Sequence, residues 1–301
     1  MSLVTAASVE IVEVSPRDGL QNESRAVSTD DKLRLIERAV NAGIRRLEIA
    51  SFVNPKRVPQ MADAEEVIAR APHAKDITYI GLVMNKRGAE RAFETDIDQL
   101  GAITLCSDTF AQKNQGQTAR ETLDVALEVI RLANAEGRTA TVMISSAFGC
   151  PFEGEIAEAD VIDYSKRLAD AEPSEIALAD TIGVGDPWRV GALFDKLRDA
   201  VPGMPLRGHF HNTRNTGIAN AYAAIQAGVT AIDASVGGLG GCPFAPAATG
   251  NIATEDLVYM LNRGGIESGV DLEALMDTCS WMNDVVGRQL PAMVSRAGNF
   301  P

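Results

Sequence analysis

The feature that most constrains the fold is a regular alternation of short apolar runs with amphipathic stretches along the 301-residue chain. Eight runs read as β-strands, at residues 9–15, 45–50, 76–83, 99–106, 138–145, 174–179, 206–211 and 230–236. Segments with helical spacing follow them, at residues 30–42, 62–70, 86–93, 120–135, 157–170, 187–199 and 218–227. This alternation, without an evident linker, favours a single α/β domain over residues 1–301, a (β/α)8 TIM barrel. Residues 254–301 contain more helix than the eighth unit requires, so we expect them to cap one end of the barrel.

Composition argues against several classes of partner. The formal net charge is −13, from 41 acidic and 28 basic residues, which disfavours nucleic acid and anionic membrane surfaces. No apolar run reaches the roughly 18 residues of a membrane span. The cysteines Cys106, Cys150, Cys242 and Cys279 form no CxxC pair, so a reducing cytoplasm is the simple expectation.

Two of the three histidines, His209 and His211, lie one residue apart at the end of the seventh predicted strand. Side chains at alternate strand positions point to the same face, so two imidazoles with this spacing can share one divalent ion. The alternative is a pair of polar residues on a half-buried strand, but the spacing favours metal binding. His73, on a connecting loop at the opposite end of the barrel, reads as a surface residue.

Other reactive residue types lie at or near the ends of the remaining predicted strands. They are Arg17 and Asp18 after the first strand, Glu48 within the second, Asp180 after the sixth, and Cys242 and Asn251 after the eighth. In a barrel of this kind, active-site residues come from the carboxyl ends of several strands. These scattered positions would therefore share one rim with the histidine pair.

Most of these residues also have a structural interpretation. Arg17 and Asp18 could form a turn with a local ion pair, and Asp180 could cap a helix. Asn251, next to a glycine, could be a turn residue. Cys242 could be an inert buried thiol, although a cysteine in a loop with four glycines is not expected to pack deeply.

Glu48 and the glycine-rich segment 237–241 are harder to explain structurally. A carboxylate in an apolar strand costs several kcal/mol unless it is paired, and Arg17 is the expected partner. Segment 237–241 lacks the lysine of a Walker loop and the full dinucleotide pattern. A mobile lid that carries Cys242 explains its glycines better.

Sequence blocks over nearly the whole chain resemble one family, the 3-hydroxy-3-methylglutaryl-CoA lyases. These blocks are residues 14–23, 51–53, 55–56, 58–61, 149–154, 180–185, 238–244 and 251–258. The resemblance implies a metal-dependent carbon–carbon lyase that works by retro-Claisen cleavage. It also implies a divalent ion, Mg²⁺ or Mn²⁺, held by Asp18, His209, His211 and Asn251.

The same resemblance implies roles for the catalytic residues. Arg17 matches the residue that stabilises the enolate, and Cys242 matches the catalytic thiol on a mobile loop. Glu48 matches an acidic residue beside the arginine, and Asp180 matches a polar residue near the reacting centre. His209 would bind the metal and is also a candidate base for the substrate hydroxyl.

The substrate implied by the resemblance is an acyl-CoA. Asp18 is the second candidate base for removing the proton of the substrate hydroxyl. Lys113 and Asn114 match a loop that holds the coenzyme A portion. The reaction would convert 3-hydroxy-3-methylglutaryl-CoA to acetyl-CoA and acetoacetate, a step of leucine degradation. A homo-oligomer, dimer or tetramer, is expected, with no nucleic acid or membrane partner.

The chain departs from the family pattern at Arg214, where the family has an aromatic residue. An extra cation near the metal could favour a different acyl group, so lyases for citramalyl-CoA or a longer 3-hydroxyglutaryl-CoA stay open. A Claisen-type synthase is a weaker alternative, because those enzymes lack an equivalent of the glycine–cysteine loop. A barrel metallo-hydrolase is weaker still, because its histidine pair usually follows the first strand.

Overall fold

Within residues 7–241 and 250–301, which the computed structural model describes, parallel strands close into a barrel in sequence order, the last pairing with the first. The strands are β1 (Glu10–Glu13), β2 (Arg46–Ser51), β3 (Thr78–Val83), β4 (Gln99–Leu105), β5 (Thr139–Ser145), β6 (Glu175–Asp180), β7 (Leu206–Phe210) and β8 (Ala231–Ala234). The (β/α)8 TIM barrel expected from the sequence is confirmed.

Helices alternate with these strands and cover the outside of the barrel. They are α1 (Thr29–Asn41), α2 (Ala64–Arg70), α3 (Lys86–Phe93), α4 (Asp108–Gln115), α5 (Ala119–Ala135), α6 (Glu158–Ala169), α7 (Pro187–Ala200), α8 (Gly217–Gln226), α9 (Thr254–Arg263), α10 (Leu272–Val286) and α11 (Val294–Ala297). Their limits follow local signals. At α1, for example, the Ser28 side chain accepts a hydrogen bond from Asp31 N, and the left-handed Gly43 follows the end of the helix.

Two local features differ from the sequence prediction. The first strand ends at Glu13 rather than at residue 15, and Ser15–Gly19 forms a π-helical turn. Pro16 has no backbone N–H and cannot continue the strand ladder. The helix α4 is not predicted by periodicity; Ser107 starts it by accepting a hydrogen bond from Phe110 N at 3.2 Å.

The amino-terminal end of the barrel interior is filled by charged and polar side chains rather than by apolar ones. Arg46, Gln99 and Glu175 start the even-numbered strands β2, β4 and β6, as in the side-chain layers of a TIM barrel. Arg46 donates to Gln99 Oε1 at 2.9 Å and to both oxygens of Glu175 at 2.8 and 3.0 Å. The buried charges are therefore paired, as burial requires.

The helices after β8 pack back onto the barrel. The Trp281 ring of α10 lies 5.1 Å from the guanidinium carbons of both Arg34 and Arg38 on α1. Ala253, just before α9, forms an isolated parallel β-bridge with Ser235, the residue that follows β8. None of the helices in the described part of the chain is long and apolar enough to cross a membrane.

Candidate active site

The π-helical turn Ser15–Gly19 places Arg17 and Asp18 at the carboxyl end of the barrel. Gly19 lets this turn lie directly against the loop that follows β8. A Cβ at Gly19 would lie 2.8 Å from Ser235 Oγ and 3.0 Å from Leu239 Cβ, which is too close for any side chain without a shift. The loops after the first and last strands therefore form one continuous wall.

Arg17 is buried in an ion-pair network with two carboxylates. Its Nε donates to Glu48 Oε1, and its Nη1 donates to Asp18 Oδ1 at 2.9 Å. Arg17 is 6% exposed and Glu48 2%, so the pairing offsets part of the cost of burying the Glu48 charge, although burial still raises the pKa of Glu48. Burial would lower the pKa of Arg17, but Glu48 and Asp18 raise it, so the guanidinium keeps its charge.

Asp18, His209 on β7 and His211 just after β7 form a cluster able to hold a cation. A carboxylate oxygen of Asp18 and one ring nitrogen from each of His209 and His211 lie within 4.8 Å of one another. The two imidazole rings are 5.1 Å apart between centroids. The two imidazoles thus converge on Asp18, as their i, i+2 spacing predicts.

Asn251, the fourth ligand predicted from the sequence, lies beside this cluster. Its backbone forms an isolated antiparallel β-bridge with His211. Its Nδ2 donates to Asp18 Oδ2 at 2.8 Å and to Leu239 O at 3.1 Å. Its Oδ1 is buried without a hydrogen-bond partner, and so is His211 Nδ1. A carboxylate oxygen, an amide oxygen and two imidazoles fit a divalent ion that prefers oxygen and nitrogen ligands.

The electrostatics keep two of these donors, Asp18 and His211, free of protons near neutral pH. Burial lowers the pKa of His209, but Asp233 and Asp18 outweigh it and raise that pKa. Burial raises the pKa of Asp18, but Arg17 and the two histidines outweigh it and lower the value to about 2. Burial, with the charge of His209, lowers the pKa of His211 to about 4. Metal binding requires deprotonated ligands, so neither group would have to lose a proton first.

A pocket of about 130 Å³ opens above the cluster. Its apolar side was not predicted and comes from β3, β4, β5 and the loops and helix that follow them: Leu82, Met84, Ile103, Leu105, Phe110 and Met143. Its polar side also includes Gln21, Asn22, Ser145 and Thr181. Strand alternation could have identified the apolar side, because its strand residues point to the inner face.

A family model described as HMGL-like matches residues 8–282. The chain belongs to this family. An (R)-citramalyl-CoA lyase of Chloroflexus aurantiacus is 42% identical over 97% of this chain and 95% of that protein. A hydroxymethylglutaryl-CoA lyase of Bacillus subtilis is 39% identical over 94% of this chain and 95% of that protein.

Solved structures of HMGL-like proteins match the whole barrel. A hydroxymethylglutaryl-CoA lyase from Pseudomonas aeruginosa is 37% identical with a TM-score of 0.93, and the match covers 97% of each chain. An HMG-CoA lyase from Acinetobacter baumannii, in complex with coenzyme A and 3-methylmalate, is 37% identical with a TM-score of 0.94. That match covers 99% of this chain and 97% of the other.

Asp180 lies at the end of β6, but its carboxylate is used by its own loop. It accepts hydrogen bonds from Val184 N and Gly185 N, both at 2.9 Å. It does not line the central pocket, whereas the next residue, Thr181, does. A catalytic role for Asp180 in the HMGL-like reaction stays a prediction.

Of the two residues expected to hold coenzyme A, one lines the central pocket and the other does not. Both lie on α4, and Asn114 lines the central pocket together with the metal cluster. Lys113 is not among the lining residues; its Nζ lies over the Phe152 ring, 5.0 Å from the centroid. The structure therefore brings Asn114 to the site and places Lys113 beside it on the outer side of the helix.

Cys242 lies outside the described residues, but the segment that leads to it is well packed. Gly240 has φ +129°, and a Cβ there would lie 2.7 Å from Asn251 Nδ2. Gly241 lines the central pocket, and its carbonyl accepts a hydrogen bond from Asn22 at 3.0 Å. Glycine is therefore needed at position 240 because the backbone there passes close to Asn251, a predicted metal ligand.

Arg214, at which the chain departs from the family pattern, connects the loop after β7 to the loop after β6 by hydrogen bonds. Its Nη1 donates to Ile182 O at 3.0 Å and Gly183 O at 2.9 Å, in the loop after β6. The side chain is exposed and does not line the central pocket. The guanidinium therefore caps backbone carbonyls instead of adding a cation to the site.

Two buried glutamates that sequence reasoning did not single out brace the loops of the site. Glu13 Oε1 accepts from Ser15 N at 2.9 Å and from Val236 N at 3.0 Å, and so connects the loops after β1 and β8. Glu255 accepts from Gly237 N at 2.9 and 3.0 Å. Burial is the main cause that raises the pKa of Glu255 to about 8.

This raised pKa predicts a pH-dependent stability that the Glu255→Gln variant should lose. Glu255 starts from an ordinary pKa of 4.5, so between about pH 4.5 and 8 the folded state binds its proton more tightly than the unfolded state. Its contribution to stability therefore falls as pH rises through that window, by on the order of 3–5 kcal/mol. Urea unfolding of both proteins at several pH values measures the difference; parallel curves would contradict the assignment.

Proposed function

We propose that this protein is a divalent-metal-dependent lyase that cleaves a 3-hydroxyacyl-CoA by retro-Claisen chemistry. The preferred substrate is 3-hydroxy-3-methylglutaryl-CoA, and the products are acetyl-CoA and acetoacetate, which fits leucine degradation. The observation that carries this proposal is the presence, in one pocket, of the Asp18–His209–His211 cluster and the buried Arg17 in an HMGL-like chain.

Asp18, His209, His211 and Asn251 are the residues that would hold the ion, with Mg²⁺ or Mn²⁺ as the proposed occupant. When bound, the ion supplies Lewis acidity that lowers the pKa of the substrate hydroxyl. The unpartnered Asn251 Oδ1 and His211 Nδ1 support this assignment, because buried polar atoms are normally satisfied.

His209 is better suited to binding the ion than to removing the hydroxyl proton. Its Nδ1 lies 3.0 Å from Asp233 Oδ2, so only Nε2 is available to the site. A histidine that uses Nε2 as a ligand has no free lone pair left to accept a proton. The other candidate base, Asp18, is also a proposed ligand, but a carboxylate has further lone pairs beyond the one that binds the ion.

Arg17 is positioned to stabilise the oxyanion of the acetyl-CoA enolate as the C2–C3 bond breaks. It keeps its charge, it lines the pocket, and its partners Glu48 and Asp18 fix the guanidinium before the substrate arrives. A preorganised donor of this kind contributes about 3–4 kcal/mol to transition-state stabilisation. The apolar wall excludes water from the enolate on the opposite side.

Cys242 is the proposed acid that protonates the enolate carbon. We expect Cys242→Ser to lower kcat and to abolish inactivation by a thiol reagent such as iodoacetamide, since a serine hydroxyl is both a weaker acid and unreactive. Burial raises the pKa of the Cys106 thiol to about 12, so Cys106→Ser is a matched control that should be inactivated like the wild type. Continued inactivation of the Cys242→Ser variant would assign the reactive thiol to another cysteine.

A second candidate substrate is citramalyl-CoA, favoured by the 42% identical (R)-citramalyl-CoA lyase of Chloroflexus aurantiacus. Cleavage of either thioester releases acetyl-CoA, but the second product is acetoacetate from one and pyruvate from the other. Incubation of the protein with each thioester and with a longer 3-hydroxyglutaryl-CoA, plus Mg²⁺, followed by mass spectrometry, separates the candidates. Absence of acetyl-CoA in every incubation would overturn the proposed reaction.

The proposed setting is a reducing, cytoplasmic one. Cys106, Cys150 and Cys279 are free thiols, which supports this assignment. Asn114, with Lys113 beside it, is proposed to contact the coenzyme A portion. A homo-oligomer of two or four copies stays a prediction, which sedimentation equilibrium tests.

A further inference from the structure

The two histidines of the cluster have different surroundings at Nδ1. His209 Nδ1 lies 3.0 Å from Asp233 Oδ2, whereas His211 Nδ1 is buried without a hydrogen-bond partner. An ionised carboxylate only accepts hydrogen bonds, so this contact requires a proton on His209 Nδ1. In the neutral imidazole that a ligating histidine must be, Nε2 then carries no proton and is available to a cation.

Asp233 is fixed in place by the barrel itself. It lies on β8 directly beside His209, because the parallel register of β7 and β8 pairs these two residues. Asp233 is 1% exposed, so its carboxylate cannot rely on water for hydrogen bonds. A buried carboxylate of this kind is costly unless its neighbours compensate its charge.

Arg207 supplies that compensation. It precedes His209 by two residues on β7 and therefore points to the same face of the strand. Its Nη1 lies 3.3 Å from Asp233 Oδ1, at ion-pair distance though not aligned as a hydrogen bond. On the other side, Arg207 Nε lies 3.1 Å from Glu175, which Arg46 holds in turn. A chain of alternating charges thus runs along the barrel interior to His209.

We propose that Asp233 is a positioning residue for the metal site: it fixes the tautomer and ring orientation of His209 so that Nε2 faces the ion, and Arg207 fixes Asp233. The proposal rests on the metal site of the proposed function. Carboxylates that orient ligating histidines in this way typically contribute 10–100-fold to metal affinity. Asp233 itself is not a ligand and does not line the pocket.

The variant Asp233→Asn tests the proposal sharply because Arg207 dictates how the new amide would turn. Arg207 has donors only, so the amide oxygen faces Arg207 and the NH₂ group faces His209. His209 Nδ1 must then accept, which moves its proton to Nε2 and blocks the ligand atom. We expect Mn²⁺, titrated by electron paramagnetic resonance of the free ion, to bind 10–100-fold more weakly. Excess metal should restore part of the activity, which a folding defect would not allow.

Asp98→Asn is the control, since it makes the same change in a carboxylate at the amino-terminal end of the barrel, where Asp98 accepts a hydrogen bond from Tyr79 N at 2.8 Å and contacts no predicted metal ligand. The Mn²⁺ affinity of this control should stay within about twofold of the wild type, which is less than the 10–100-fold expected for Asp233→Asn. Equal Mn²⁺ affinities for Asp233→Asn and Asp98→Asn would overturn the proposal. Failure of the wild type to bind Mn²⁺ would instead overturn the metal site itself.

A measurement on the unmodified protein keeps the proposal testable if Asp233→Asn does not fold. The chain has three histidines, so the imidazole ¹⁵N signals of the protein can be assigned with His73→Gln and His211→Gln as references and then followed as Mg²⁺ is added. We expect the His209 spectrum to show a protonated Nδ1 and an unprotonated Nε2. A proton on His209 Nε2 in the Mg²⁺-loaded wild type would contradict the role of Asp233.

Discussion

Replacing Arg17 by methionine is expected to lower kcat by about 10²–10³-fold while the metal site stays intact. Arg17 is the one lysine or arginine among the described residues that line the central pocket. Methionine has a similar length and no charge, so it retains most of the packing and removes the oxyanion donor. Steady-state kinetics at saturating substrate, together with metal content by elemental analysis, measures both parts of this expectation.

The buried partner of Arg17 makes stability a necessary control. Removing the guanidinium leaves Glu48 buried and unpaired, which typically destabilises a fold by about 3–5 kcal/mol. The double variant Arg17→Met/Glu48→Gln removes that charge and should recover most of the lost thermal stability. Its kcat should stay low. Recovery of turnover together with stability would show that Arg17 supports the fold and not the reaction.

The barrel could be predicted from the sequence because each of its units is a local pattern. Strand alternation and helix caps are determined by neighbouring residues, and the limits of α3 (Lys86–Phe93) match the prediction at both ends. The errors occur where a local rule competes with another. Pro16 stops β1 early, and the apolar residues of α4 (Asp108–Gln115) are the neighbours Phe110 and Ala111, which do not recur at helical spacing and so give no clear apolar face.

The site was only partly predictable because it depends on contacts between distant segments. Because the carboxyl ends of all barrel strands lie on one rim, the predicted strands alone place Asp18, His209 and His211 there, although Asp18 and His209 are far apart in sequence. The orientation of the Asn251 amide could not be predicted, because it depends on hydrogen bonds to Asp18 and Leu239 O. The same holds for Asp233, whose contact with His209 requires the register of β7 and β8.

Replacing His211 by alanine is expected to abolish metal binding at micromolar concentrations. His211 is 3% exposed, and burial keeps its imidazole neutral by lowering its pKa to about 4. The variant removes one of four proposed donors outright, so the loss should exceed the roughly 10–100-fold typical of a second-sphere partner. Elemental analysis after dialysis against Mg²⁺ or Mn²⁺ measures occupancy directly.

A thermal measurement separates loss of the ligand from loss of the fold. An ion at about 100 times its dissociation constant stabilises the folded state by roughly 2.7 kcal/mol, so added metal should raise the Tm of the wild type. His73→Ala, which changes an exposed histidine outside the pocket, should keep that metal-dependent shift. His211→Ala should lose it while the Tm without metal changes much less, because an alanine in this position removes a neutral ring and leaves no buried charge unpaired. Full metal occupancy of His211→Ala would remove His211 from the ligand set and leave Asp18, His209 and Asn251 as the donors to which the chemistry must be assigned.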